Sequence, residues 1–76
     1  MVSWREVLKA LSKAGFKPVR QKGSHIIVEN SEGRFATVPK ASQIKRGTLI
    51  SIIIQAGLTK EQFIKMLTSK QRHQRL

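Results

Sequence analysis

Along the first fourteen residues the apolar positions recur at helical spacing. Trp4, Val7, Leu8 and Leu11 share one side, while Arg5, Lys9 and Lys13 take the other. Ser3 with Glu6 three residues later is a capping box, in which the hydroxyl serves one orphan amide and the carboxylate another. Gly15 then offers a left-handed stop after Ala14. A helix is expected over residues 4–14.

The spacing then shortens into three runs: FKPVRQK (Phe16 to Lys22), HIIVEN (His25 to Asn30) and RFATVP (Arg34 to Pro39). Gly23-Ser24 and Ser31-Glu32-Gly33 separate them, and such short glycine-containing joints predict two hairpins in an antiparallel meander. Pro18 has no ladder donor, which assigns the first run to a sheet edge. Strand alternation turns Ile26, Val28, Ala36 and Val38 inward, and puts His25, Ile27 and Glu29 on the opposite face.

After a basic loop, KASQIKRG (Lys40 to Gly47), the run TLISIIIQAG is ambiguous, since its β-branched isoleucines also suit a buried strand. Leu49, Ile50, Ile53 and Ala56 nevertheless keep a helical face, and Gln55-Ala56-Gly57 reads as a helix end. Thr59 and Gln62 form a second capping box opening a short helix with Phe63, Ile64 and Leu67 inward. Residues 69–76 are polar and basic, and either prolong that helix or fray. The fold class is α+β: αβββα, a three-stranded antiparallel sheet with helices on one face, plus an extra short C-terminal helix. Residues 1–76 read as one domain, with a core over about 3–67 and a basic tail over 68–76.

Composition narrows the function. A chain of 76 residues buries only about 60% of the surface its unfolded form exposes, so one compact core must hold it together. It has no cysteine, two histidines and four acidic residues, too few for a disulfide framework or a zinc or calcium cage; no metal and no cofactor are expected. Fifteen Lys and Arg against four acids give a formal net charge of +11, which predicts a polyanionic partner. That partner is nucleic acid, an anionic membrane surface or an acidic protein. No segment approaches the ~18 apolar residues of a spanning helix. Met1 to Ala14 also lacks the apolar run of a signal peptide, so a soluble cytoplasmic protein is expected.

Lys17, Arg20, Lys22, Arg34, Lys40, Lys45 and Arg46 collect on the open face and its rims, as residues for salt-sensitive, sequence-independent phosphate contact. Trp4 and Phe16 are expected in the core. Phe35 is expected to be buried at the sheet rim, with an exposed stacking platform as the other reading. His25 follows Lys22, Gly23 and Ser24 in a turn. An imidazole can accept and donate a proton near neutral pH. RNA carries its own nucleophile, the 2′-hydroxyl, and cleavage needs only a base, cations around the phosphate and a proton donor. The competing reading of His25 is an inert turn residue. Ser24 and His25 do not make a hydrolase triad, because adjacent strand residues point to opposite faces. Lys45-Arg46-Gly47-Thr48 is either a phosphate-holding helix start or a merely charged one. His73, in the tail, is the weaker histidine.

Three segments together resemble the HicA family of toxin mRNA interferases, from bacterial and archaeal toxin–antitoxin pairs. They are AGFKPVRQKGSHIIV (Ala14 to Val28), EGRFATVP (Glu32 to Pro39) and KRGTLISIIIQAGLTKEQF (Lys45 to Phe63), and the similarity covers about residues 3–67. The resemblance implies a double-stranded-RNA-binding-domain-like fold, His25 as the catalytic histidine, an mRNA substrate and no metal cofactor. It further implies a HicB-type antitoxin that covers the active face and silences the toxin. The free toxin is expected to be monomeric, with no membrane association and no DNA contact of its own. Pro18 and the basic tail depart from the family pattern. Gly23 and Ser24 belong with His25 to the glycine-serine-histidine turn of the resemblance, and His25 alone takes its role from the family motif; Lys22, Arg34, Lys40, Lys45 and Arg46 rest on placement. The leading function is thus a metal-independent endoribonuclease that cleaves mRNA. The alternatives are a non-catalytic double-stranded-RNA-binding module and an interaction protein that only meets an acidic partner.

Overall fold

The computed structural model describes residues 2–68. The tail from Ser69 onward, including His73, lies outside the described residues. The chain runs α1 (Trp4–Lys13), β1 (Lys17–Lys22), β2 (His25–Glu29), β3 (Phe35–Pro39), α2 (Arg46–Ala56) and α3 (Lys60–Thr68). The αβββα order and the added C-terminal helix are those expected. The strands form one antiparallel sheet in the order β1-β2-β3.

Both capping boxes form. Ser3 N–H donates to Glu6 Oε1 at 2.8 Å and Glu6 N–H to Ser3 Oγ at 3.3 Å. Thr59 N–H donates to Gln62 Oε1 at 2.9 Å and Gln62 N–H to Thr59 Oγ1 at 3.0 Å. Each box satisfies two amides that no helical carbonyl can reach. At the end of α2, Gly57 takes φ 74°. Its N–H reaches Ile54 O and the Leu58 N–H reaches Ile53 O, closing the helix in a Schellman motif.

The core is continuous between the sheet and the helices: Val7, Ala10 and Leu11 of α1, then Phe16, Ile26, Val28, Ala36, Val38, Ile44, Ile52, Ile53, Ala56 and Phe63. Ile26, Val28, Ala36 and Val38 point inward as alternation requires. Three expected core positions differ. On α2 the buried stripe is Ile52, Ile53 and Ala56 with Leu49 half-buried, whereas Ile50 is exposed. The helix is apolar nearly all round, so side-chain identity does not set its rotation; contact with β3 does. On α3, Phe63, Met66 and Leu67 meet the core at i, i+3, i+4 spacing and Ile64 turns outward. Trp4 is half-buried at the rim rather than enclosed.

The two sheet edges are handled differently. The Thr37 N–H points away from β2 and donates to Gln55 Oε1 of α2 at 3.0 Å. Two residues on, alternation directs the same position of Pro39 outward, where a residue without an N–H leaves nothing unsatisfied. At the other edge β1 is exposed along its whole length. Its protection is chemical: Pro18 within the strand, a register shift between Pro18 and Arg20, and a series of cations. Among the described residues no helix is long and apolar enough to cross a membrane.

Candidate functional site

Strand pairing sorts the open face into three rows. Lys22, His25 and Pro39 form the first, Arg20, Ile27 and Thr37 the second, and Lys17, Glu29 and Phe35 the third. Directly opposed residues share a face, and their buried neighbours Ile26, Val28, Ala36 and Val38 occupy the other, so these rows face away from the helices. Successive rows are about 7 Å apart, two strand residues.

The placement of cations in these rows depends on one irregularity. In a regular strand Lys17 and Arg20 would lie on opposite faces, because the side-chain period is two. The extra residue Val19, between Pro18 and Arg20, breaks that alternation. As a result Lys17, Arg20 and Lys22 put one cation in each row, forming a line beside His25, Ile27 and Glu29. The sequence signal for it was Pro18, which strands accept at edges and bulges; β1 is both.

His25 opens the central strand. Lys22 pairs directly with it, leaving the two-residue loop Gly23-Ser24. Positive φ in this loop is confined to Gly23, at 57°, as the first central position of a type II′ hairpin turn demands. Gln21 Nε2 donates to Gly23 O at 3.2 Å, and Lys40 N–H donates to Ser24 O at 2.7 Å. A side-chain bond from β1 and a backbone bond from the residue after β3 thus hold the turn that leads into His25, whose side chain is itself exposed. None of the four acids shares its row: Glu6 is engaged in the α1 cap, Glu29 ends β2, Glu32 is in the β2–β3 turn and Glu61 is in the first turn of α3.

The other expected contacts divide into two groups. The segment after β3 gathers the starts of α1 and α2 at the His25 end: Trp4 N–H bonds Ala41 O and Ile44 N–H bonds Val2 O. Lys40 Nζ lies 5.2 Å from the centroid of the Trp4 ring, and the Arg5 guanidinium 5.1 Å from it. Trp4 thereby holds two cations at this rim, a role that its sequence position did not announce. Lys45 caps α2 without a side-chain bond, and Arg46 is the first helical residue. Cations there oppose the helix dipole, so this end favours an added anion. Arg34 sits apart, just before β3, roughly 15 Å along the strand direction from the His25 row. Its Nε donates to Gln55 O at 3.0 Å, closing the last turn of α2.

Phe35 corrects the expected burial: it is 60% exposed. Its neighbour Ala36 is fully buried, and alternation then turns Phe35 to the open face.

An αβββα domain with an uncovered cationic sheet and a histidine at the head of its central strand belongs to the double-stranded-RNA-binding-domain-like class. A family model described as the HicA toxin of bacterial toxin–antitoxin matches residues 4–58, and the chain belongs to that family. Its role is therefore on the toxin side of a toxin–antitoxin pair. The match ends at Leu58, before α3, so the similarity over 3–67 read from motifs extends further than the family match. A comparison with curated proteins finds no match.

Proposed function

We propose that this toxin is an endoribonuclease that cleaves mRNA with His25 as its catalytic histidine and needs no metal ion. The observation that carries this reading is the position of His25: exposed on the open face, fixed by its turn, and paired across the ladder with Lys22. In the first step His25 takes the proton of a ribose 2′-hydroxyl, and the oxygen attacks the adjacent phosphorus. The bond from phosphorus to the 5′-oxygen breaks, and a proton goes to the leaving oxygen, giving a 2′,3′-cyclic phosphate and a 5′-hydroxyl end. Lys22, opposite His25, and Arg20, in the next row, stabilise the charge that builds on the non-bridging oxygens, the effect that usually contributes most to such catalysis. Gly23 and Ser24 shape the turn against which the phosphate rests. Lys40, Lys45 and Arg46 hold the backbone at the same end of the sheet, and Arg34 contacts only nucleotides further along.

A HicB-type antitoxin of acidic character covers this face in the silent complex. The net charge of +11 supports such a partner, since the free toxin repels itself and gains from neutralisation. Cleavage of a single-stranded RNA in EDTA, wild type against His25→Ala, tests the reading. General acid–base catalysis contributes about 10²- to 10⁴-fold, so a loss of at least about 100-fold is expected. Equal rates for the two proteins would end it. RNA left intact by both, with tight salt-sensitive binding to duplexes, would instead identify a non-catalytic duplex-binding module.

A further inference from the structure

The third row of the open face carries a feature that the His25 site does not use. Phe35 is 60% and Val19 56% exposed, and with Ile27, Arg20 and Glu29 they line a shallow cleft of about 310 Å³. The other two phenylalanines, Phe16 and Phe63, are 2% and 1% exposed. Leaving a phenyl ring and a valine in water forgoes apolar burial that a chain this small has little of. The bulge that puts Arg20 beside this cleft also leaves Val19 exposed at its wall.

We propose that this cleft is a nucleobase-stacking subsite for single-stranded RNA, occupied by a base about two nucleotides from the bond cut at His25. The proposal rests on the nuclease reading and names where that substrate is gripped. Charge selects the occupant: Lys17, Arg20 and Lys22 line the same face from this cleft to His25, one in each row. A polyanion laid along them carries flat rings to Phe35, whereas a neutral peptide or an acyl chain leaves the cations unmatched. The ring stacks on Phe35, Ile27 and Val19 supply the apolar wall, and Arg20 holds the adjoining phosphate. Glu29, in the row of Phe35, offers carboxylate oxygens as hydrogen-bond acceptors. It therefore selects a base presenting an amino group (adenine, guanine or cytosine) over uracil, whose single ring N–H lies between two carbonyl oxygens.

The test uses an end-labelled single-stranded RNA whose cut bond has been mapped with the wild-type protein, and a series carrying one abasic nucleotide at each position around it. Base–aromatic stacking gives an expected loss in kcat/KM of about 5- to 150-fold for the abasic nucleotide two positions from the cut. Phe35→Ala and Phe35→Leu should show a similar loss on intact RNA and little further loss on that abasic substrate, while Phe35→Trp retains activity. Glu29→Gln should change the preferred base at that position alone. Thermal unfolding of each variant separates these effects from misfolding. Wild-type tolerance of every abasic position, or Phe35→Ala cleaving intact RNA like the wild type, overturns the subsite and leaves the nuclease reading standing. A Phe35→Ala variant that cleaves normally but escapes an acidic antitoxin overturns it too, assigning the patch to the protein partner. If the wild type cleaves no RNA, the nuclease reading fails. Binding of the abasic series by fluorescence anisotropy then decides the subsite, with a weakened single position supporting it and a flat profile ending it.

Discussion

Replacing Gly57 by Ala combines a backbone penalty with a clash against one identified side chain. Gly57 ends α2 at φ 74°, where a residue with a Cβ costs about 1–2 kcal/mol. That Cβ would also stand 2.5 Å from Arg34 Nε and 2.7 Å from its Cζ, so the guanidinium must leave. Arg34 then loses its bond to Gln55 O, which contributes about 1 kcal/mol at this exposed site, below the usual range for charged hydrogen bonds. The sum is about 2–3 kcal/mol. A domain of 76 residues has roughly 4–11 kcal/mol in all, so this is a large share. At about 4–8 °C per kcal/mol the melting temperature should fall by about 10–20 °C. Urea or thermal unfolding of wild type, Gly57→Ala, Arg34→Ala and the double variant makes a thermodynamic cycle. Once Arg34 is absent, Gly57→Ala should cost only its backbone share, giving a coupling of about 1 kcal/mol. Strict additivity would refute the contact. A rise in melting temperature for Gly57→Ala would refute the left-handed cap itself, because Gly→Ala stabilises where the backbone permits it.

Two further perturbations test the packing of the helices. Ile52→Ala should cost about 2–5 kcal/mol by leaving a cavity under α2, while Ile54→Ala, at a site 66% exposed, should stay within about 0.5 kcal/mol; denaturant midpoints compare them directly. Ser3→Ala and Thr59→Ala should each cost about 1 kcal/mol by stranding the N3 amide of α1 or α3, and the two losses should add in thermal melts because the caps share no partner.

The fold was legible wherever residue type and periodicity agreed. Ile26, Val28, Ala36 and Val38 hold the alternate positions of β2 and β3, and a one-residue slip would bury Glu29. Ser3 with Glu6, and Thr59 with Gln62, marked two helix starts by chemistry alone. The rotation of α2 was not legible, because Ile50, Ile52, Ile53 and Ile54 surround the helix and only β3 and Gln55 select the buried pair. Tertiary contacts of that kind leave no period to read.

The candidate site divides along the same line. His25 and its turn were readable, since a glycine that must adopt positive φ and a strand that must alternate leave few options for the side chain. Arg34 was grouped with the phosphate contacts because sequence counts charges without seeing which of them a helix end has already engaged. Phe35 was within reach of the alternation that buried Ala36, but aromatic identity argued for burial and outweighed it. Pro18 matters most. As a departure from the family pattern it bore only on the length of β1, yet β1 keeps six residues and the disturbance emerges as the bulge at Val19. That bulge reverses which residues of β1 face outward, and so brings Lys17 onto the face of Arg20, Lys22 and His25. A residue that reads as a defect in strand propensity is therefore tied to the one geometric device that puts a cation beside every row of the open sheet.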